Sequence, residues 1–286
     1  MKIREHSSQK NKRGHKAKQD GKDVSEISFT ELLSKLEETN WGKDVLSKNI
    51  KAAFFNIGVS FLELRPYCEC LIKAAEIFED AIKLLSHSDL KGLISISLFA
   101  RAYGCFFGAV RLSFSGQITE TWVLLRACIE NSLYAFYIAE NPEYATIWTE
   151  RCDSEAHKKK CREVFAIGKI WKALEAKSKS ITKEARNCYE DTIDWGAHPN
   201  ELTVFSNLEE KQDGSGYNMN ILNPNEVLMR HSLCAVLSTV SIVFKIFALI
   251  YPDEFKQPNL TVKIDNLNKQ AKMLFYATSK LASKAT

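Results

Sequence analysis

The chain has 286 residues, with 39 Lys and Arg against 35 Asp and Glu and 45% hydrophobic residues, the composition of a globular protein with a sizeable core. With 12 Gly and 6 Pro it holds about half the usual share of turn residues, which argues against collagen-like, sandwich and multi-hairpin folds. The net charge of +4 is uneven: residues 1–22 carry +6 (Lys2, Arg4, Lys10, Lys12, Arg13, Lys16, Lys18 and Lys22 against Glu5 and Asp20), leaving −2 on the rest.

Residues 1–24 have almost no apolar side chains and read as a disordered basic tail. The folded part, 25–286, reads as one all-helical domain. It opens at Ser28-x-x-Glu31, a capping box, with Ile27 placed to staple against Leu32. A short helix follows to about Glu38. Further helices are expected at about 44–64, 66–85, 90–115, 118–140, 142–152, 155–178 and 181–195, with Pro66 and Pro142 at first turns and Asn141 as a cap. The rhythm breaks over 202–222. There Asp213-Gly214-Ser215-Gly216 separates Thr203-Val204-Phe205 from Tyr217–Ile221, as a two-stranded hairpin or a long loop. Asn223, Pro224 and Glu226 then restart a helix that runs to about Tyr251, and a last one covers about 260–283. The fold class is all-α: a single multi-helix bundle of about eight helices with one hairpin-like or loop insertion.

Leu233–Tyr251 is the one segment whose length suits a membrane span. Arg230, Ser238, Ser241 and Lys245 fall on one stripe of it, which a core helix with one wet edge explains without a membrane. The chain shows no secretory signal after its first charges, so its eight cysteines suit a reduced, cytoplasmic protein. Cys105, Cys128 and Cys234 act as small hydrophobes in apolar stretches, and Cys68 and Cys70 diverge on one helix.

Two middle helices carry the informative pattern. On 93–114, Phe99, Tyr103, Phe106 and Phe114 belong to a bulky face. Ser97, Gly104, Cys105 and Gly108 form a small one that lets a neighbouring backbone approach, with Arg101 among them. The 118–140 helix is apolar nearly all round and should be central, yet Arg126, Glu130 and Tyr137 sit in the middle of one face. A charge there must be paired or functional. Arg126 and Glu130 are four apart in the weaker order for a local pair, which points to a further partner or ligand. One reading is a structural ion pair. The other is a buried polar pocket where Arg126 binds an anion and Glu130 orients it or acts as base.

His198 follows a helix end in Trp195-Gly196-Ala197-His198-Pro199, on a loop stiffened by Pro199, from which it either bonds a carbonyl or reaches a pocket. Arg151 and His157 bracket five residues ahead of Lys158, Lys159, Lys160 and Arg162. That run is a solvated helix face or a phosphodiester-binding footprint. Cys152, His157 and Cys161 match a metal triad in composition only, so no metal and no cofactor are expected. The chain holds no phosphate-binding loop, dinucleotide fingerprint, nucleophile elbow or zincin motif.

Leu124-Leu125-Arg126-x-x-x-Glu130, the Gly196-Ala197-His198-Pro199 turn and a hairpin-like insert before an apolar helix resemble a group of bacterial all-helical proteins. That group is similar to the HEPN-like domains of toxin–antitoxin and abortive-infection systems. The resemblance covers roughly residues 70–250. It implies metal-independent cleavage of RNA by an Arg followed, after four to six residues, by a His. Arg151 to His157 fits that spacing, although Cys152 stands where a small polar residue is usual. The expected function is thus a defence- or toxin-type protein acting on RNA through Arg126, Glu130 and His198, with Arg151 and His157 as a further catalytic pair. Lys158, Lys159, Lys160, Arg162, Lys10, Lys12 and Arg13 would supply attraction for nucleic acid. The alternative is a non-enzymatic helical scaffold or regulatory subunit that binds a cognate protein or nucleic acid.

Overall fold

The computed structural model describes residues 28–199 and 201–285. The basic tail with Lys10, Lys12 and Arg13, and the Ile27 staple, lie outside the described residues. The chain divides into two units, one ending at Ala52 and one spanning Ala53–Thr286.

In the first unit, Ser28 caps α1 (Phe29–Glu37) by accepting from the Glu31 N–H at 3.2 Å. Gly42 turns the chain with φ +80, and the Asp44 carboxylate accepts from the Ser47 N–H at 2.9 Å where α2 (Val45–Glu63) begins. The Ser47 hydrogen bonds hold the Asp44 carboxyl below its ordinary pKa.

The second unit is all-α apart from one small hairpin. It holds the end of α2 and then α3 (Arg65–Leu84), α4 (Leu90–Ser115), α5 (Ile118–Glu140), α6 (Pro142–Thr149), α7 (Glu155–Val164), α8 (Ile167–Lys177) and α9 (Lys179–Thr192). After α10 (Glu201–Phe205) come the antiparallel strands β1 (Leu208–Glu210) and β2 (Tyr217–Met219), then α11 (Glu226–Ile250), α12 (Pro252–Phe255) and α13 (Pro258–Ala285).

Thirteen α-helices among the described residues replace the expected eight or so. The stretch 155–178 is not one helix. Phe165 turns into the core, 5% exposed, and Ala166 is extended at φ −59, ψ 126, so the chain bends between α7 and α8 with no Gly or Pro to announce it. Thr203-Val204-Phe205 is helix, and the first strand forms five residues later, opposite Tyr217–Met219. Asn223 does not cap α11; Asn225 does, accepting from the Leu228 N–H at 3.0 Å. Asn223 instead accepts from the Asn225 N–H and donates to the Ser206 carbonyl and Asn207 Oδ1, which ties the insert to the helix start.

An antiparallel hairpin of α4 and α5 organises the core. Gly116 ends α4 at φ +89, and a Cβ there would lie 2.8 Å from the Asn223 carbonyl, so glycine alone fits. Gly108 lets the helices close up, since a Cβ there would stand 2.6 Å from Leu124 Cδ1. Gly104 does not share that role: it is exposed, with open space around its Cβ position, as is Arg101. Phe78 of α3 gathers Phe99, Tyr103, Phe106 and Phe244 within 4.7–5.6 Å between ring centroids.

α11 packs against α5, α13, α4, α9 and α3. Its polar stripe faces a groove of about 410 Å³ lined by Ser238, Ser241 and Lys245, where Lys245 pairs with Glu184 of α9. Arg230 pairs with Glu226. By length and composition α4 qualifies as a membrane span alongside α11. Within the fold, 39% of the apolar window of α4 and 61% of that of α11 is buried.

Candidate functional site

α5 presents two kinds of side chain along its length. Trp122, Leu125, Ile129 and Leu133 are buried, while Arg126 and Glu130, one turn apart, stand at an edge where α9 and the segment after it cross. α9 brings Tyr189 to that edge, 8% exposed. A π-helical turn, Ile193–Ala197, then carries the chain over the start of α5 and delivers His198. Gly196 permits the crossing: its φ of 171 is ordinary extended backbone, but a Cβ there would lie 2.2 Å from the Thr119 carbonyl oxygen. Trp195 holds the turn in place by stacking on Trp122 (5.9 Å between centroids) and meeting His231 at 4.7 Å.

Four polar side chains converge there. Arg126 Nε donates to Glu130 Oε1 at 2.9 Å, and Nη2 donates to the Tyr189 hydroxyl at 2.7 Å. The Tyr189 O–H in turn donates to Glu130 Oε1 at 3.2 Å, closing a ring of three groups. The guanidinium carbon lies 4.9 Å from the centre of the Tyr189 ring. The third nitrogen, Nη1, is 2.7 Å from His198 Nε2. A guanidinium has no acceptor, so the imidazole supplies its lone pair, which leaves the ring proton on Nδ1.

Burial works against the Arg126 charge, but Glu130 and Tyr189 outweigh it and raise its pKa above the ordinary arginine value. Burial, seconded by the Glu130 carboxylate, pushes the Tyr189 phenol up.

The expected pocket was buried; the cluster is not. The Arg126 side chain is 24% exposed and that of Glu130 40%, while His198 is exposed, because this edge of α5 is crossed by one turn and left open beyond it. Tyr137, read from the sequence as the third polar group on that face, points elsewhere: it is buried and stacked on Tyr144 at 4.5 Å. A groove of about 410 Å³ has a lining that includes Thr119, Glu120, Val123, Gly196, Asn207 and Met219. Val123 is one turn before Arg126 and Gly196 two residues before His198, but the four cluster side chains are not among the groove's lining residues.

The other candidates sit apart in sequence and in their contacts. Arg151 is exposed in a 3-10 turn, Glu150–Cys152. His157 belongs to α7, with Nδ1 at 2.6 Å from Ser154 Oγ and Nε2 at 3.8 Å from Glu150. Lys158 pairs with Glu155 at 2.6 Å, and Lys159, Lys160 and Arg162 are exposed on the same helix. Among the described residues no group of three His, Cys, Asp or Glu could hold a metal ion.

Sequence reasoning passed over Tyr189, and it named Gly196 only as part of the turn that carries His198. Tyr189 looks like any core aromatic of an amphipathic helix. A glycine two residues before His198, in a chain with only 12 glycines, was the available signal.

No family model, no curated protein and no solved structure matches the chain. No family is therefore shown for the chain, and the likeness to HEPN-like domains supports a proposal only.

Proposed function

We propose that this is a cytoplasmic helical protein of defence or toxin type that acts on RNA, and that Arg126 and His198 meet the phosphodiester, with Glu130 and Tyr189 holding Arg126. The likeness of Leu124–Glu130 and Gly196–Pro199 to HEPN-like domains supplies the substrate class, and eight free thiols suit a reducing compartment. The observation that carries the reading is the 2.7 Å approach of His198 Nε2 to Arg126 Nη1.

A phosphate oxygen is a stronger acceptor for a guanidinium than a neutral imidazole, because the hydrogen bond is charge-assisted at both ends. An RNA phosphate arriving at Arg126 displaces His198 from Nη1 and frees the Nε2 lone pair beside the bound group. His198 then takes the proton of the neighbouring 2′-hydroxyl as general base. The 2′-oxygen attacks phosphorus, the bond to the 5′-oxygen breaks, and that oxygen leaves with a proton from solvent. Arg126 stabilises the charge that builds on the phosphoryl oxygens, and Glu130 and Tyr189 fix its fork. None of these steps calls for a metal. The exposed Lys159, Lys160 and Arg162 add sequence-blind attraction for the backbone. Arg151 and His157 are the second place to look for the same chemistry.

A second reading has its own support: Nε, Nη1 and Nη2 of Arg126 are all engaged within the protein. In that reading the cluster is a clasp between α5 and the turn after α9, in a scaffold or regulatory subunit that binds a cognate protein partner. The two readings separate in an assay of RNA cleavage in the presence of a chelator, run together with a test of cellular toxicity. The RNA reading expects Arg126→Ala and His198→Ala to abolish both. It is abandoned if both variants keep cleavage and toxicity at wild-type level.

A further inference from the structure

The α4–α5 hairpin sets two cysteines face to face. Cys105 lies eleven residues before Gly116 and Cys128 eleven residues after Gln117, the two residues that turn the hairpin, so they occupy the same level. The contacts around them confirm the register. The Cys128 sulfur is 3.3 Å from the Ala102 carbonyl of α4, and Asn131 Nδ2 of α5 is 3.9 Å from the Cys105 sulfur. Gly108, one turn closer to the bend, brings the helices together against Leu124. The Cys128 thiol donates to the Ala102 carbonyl, one turn before Cys105, and the two thiols lie near enough to shift each other's titration.

The two thiols differ in access and in charge environment. Cys128 is 1% exposed. Cys105 is half-buried beside exposed Gly104, whose missing side chain leaves open space, and Arg101 stands one turn earlier. The neighbouring Cys128 thiol, working against burial and aided by Arg101, brings the Cys105 thiol down to about 7. Burial pushes Cys68, Cys70, Cys161, Cys188 and Cys234 the other way. A thiol of lowered pKa with a positive charge one turn away and a second thiol at the same level of the facing helix is the environment of a reactive cysteine.

We propose that Cys105 and Cys128 form a peroxide-responsive pair, with Cys105 as the attacking thiolate and Cys128 as the resolving thiol. The Cys105 sulfur attacks one oxygen of hydrogen peroxide; the O–O bond breaks, hydroxide leaves and is protonated to water, and Cys105 becomes a sulfenic acid. The Cys128 sulfur then attacks the Cys105 sulfur. The S–O bond breaks, the oxygen leaves as a second water with the Cys128 proton, and a disulfide joins α4 to α5. Two electrons pass from the thiols to the peroxide, and a low-molecular-weight thiol reverses the change. The bond forms on the helix that carries Arg126 and Glu130, between those two positions.

The test is peptide mass mapping of the full chain after brief exposure to hydrogen peroxide and blocking of free thiols, without reduction. The expected result is a Cys105–Cys128 linked peptide that disappears with dithiothreitol, and, in Cys128→Ser, a dimedone adduct at Cys105. The wild-type map stands whether or not that variant folds well. Full blocking of Cys105 and Cys128 in the peroxide-treated wild type, with oxidation at exposed Cys152 instead, overturns the proposal. A linked peptide in the wild type without a Cys105 adduct in a folded Cys128→Ser overturns the assigned roles.

Discussion

Arg126 and His198 stand 72 residues apart in the chain, and their side chains meet with Nη1 at 2.7 Å from Nε2. One hydrogen bond between them does not by itself place both side chains. Arg126 is anchored from below by Glu130 and Tyr189, and His198 is delivered from above by a turn that only Gly196 lets cross α5. The contact is therefore built by the backbone as much as by the side chains, and each part has its own consequence.

Arg126→Lys keeps the charge but cannot serve Glu130, Tyr189 and His198 from one planar fork. We expect it to lose RNA cleavage as fully as Arg126→Ala while unfolding within ~1 kcal/mol of wild type in urea. Glu130→Gln removes only one acceptor from a partly exposed i,i+4 pair. Its expected cost is under ~0.5 kcal/mol, and a larger loss would show the pair to be structural.

Gly196→Ala forces a Cβ into the Thr119 carbonyl. The chain must shift there, because the obstacle is backbone. The expected cost is about 1–3 kcal/mol, with loss of RNA cleavage. Gly168→Ala, where nothing lies within 4 Å of the Cβ position, serves as the control and should leave both properties at or slightly above wild type. A thermal melt of the two variants side by side decides it.

Phe78 is fully buried among four aromatic rings, whereas Phe107 is 47% exposed. Phe78→Ala should cost about 3–5 kcal/mol through the lost contacts and the cavity left behind. Phe107→Ala should stay within about 1 kcal/mol. Equal losses in denaturant titrations would contradict the placement of the core.

His231, beside Trp122 and Trp195, has its pKa lowered from the ordinary 6.5 by burial. The unfolded chain then binds the proton first as pH falls. The stability linked to His231 is present above pH 6.5 and declines below it, down to the folded-state value. His231→Gln should flatten that decline in denaturation midpoints measured between neutral and mildly acidic pH; an unchanged slope counts against a neutral imidazole between the two Trp rings.

The helical class was legible because apolar positions recur at helical spacing and turn residues are scarce. Arg126 and Glu130 stood out as charges on an otherwise apolar helix, and His198 as a histidine on a stiffened loop. What was not legible is tertiary. The bend at Phe165–Ala166 has no breaker residue and exists because Phe165 packs inward. The exposure of the cluster depends on how much of the α5 edge a single turn covers, which periodicity within α5 does not encode. Tyr189 joined the cluster through the path of α9, although its own helix gives it the pattern of a core residue. Asn225 outcompeted Asn223 as the α11 cap because Asn223 is held by Ser206 and Asn207.

The claim at the centre of this account is that an RNA phosphate takes the place of His198 on Arg126. It is tested most directly by following the ring nitrogens of His198, labelled with ¹⁵N, while an uncleavable 2′-O-methyl RNA is added. The account predicts a shift of Nε2 that saturates with RNA in the wild type and is absent in Arg126→Ala. RNA that binds while Nε2 stays unmoved, or moves equally in both proteins, would contradict it.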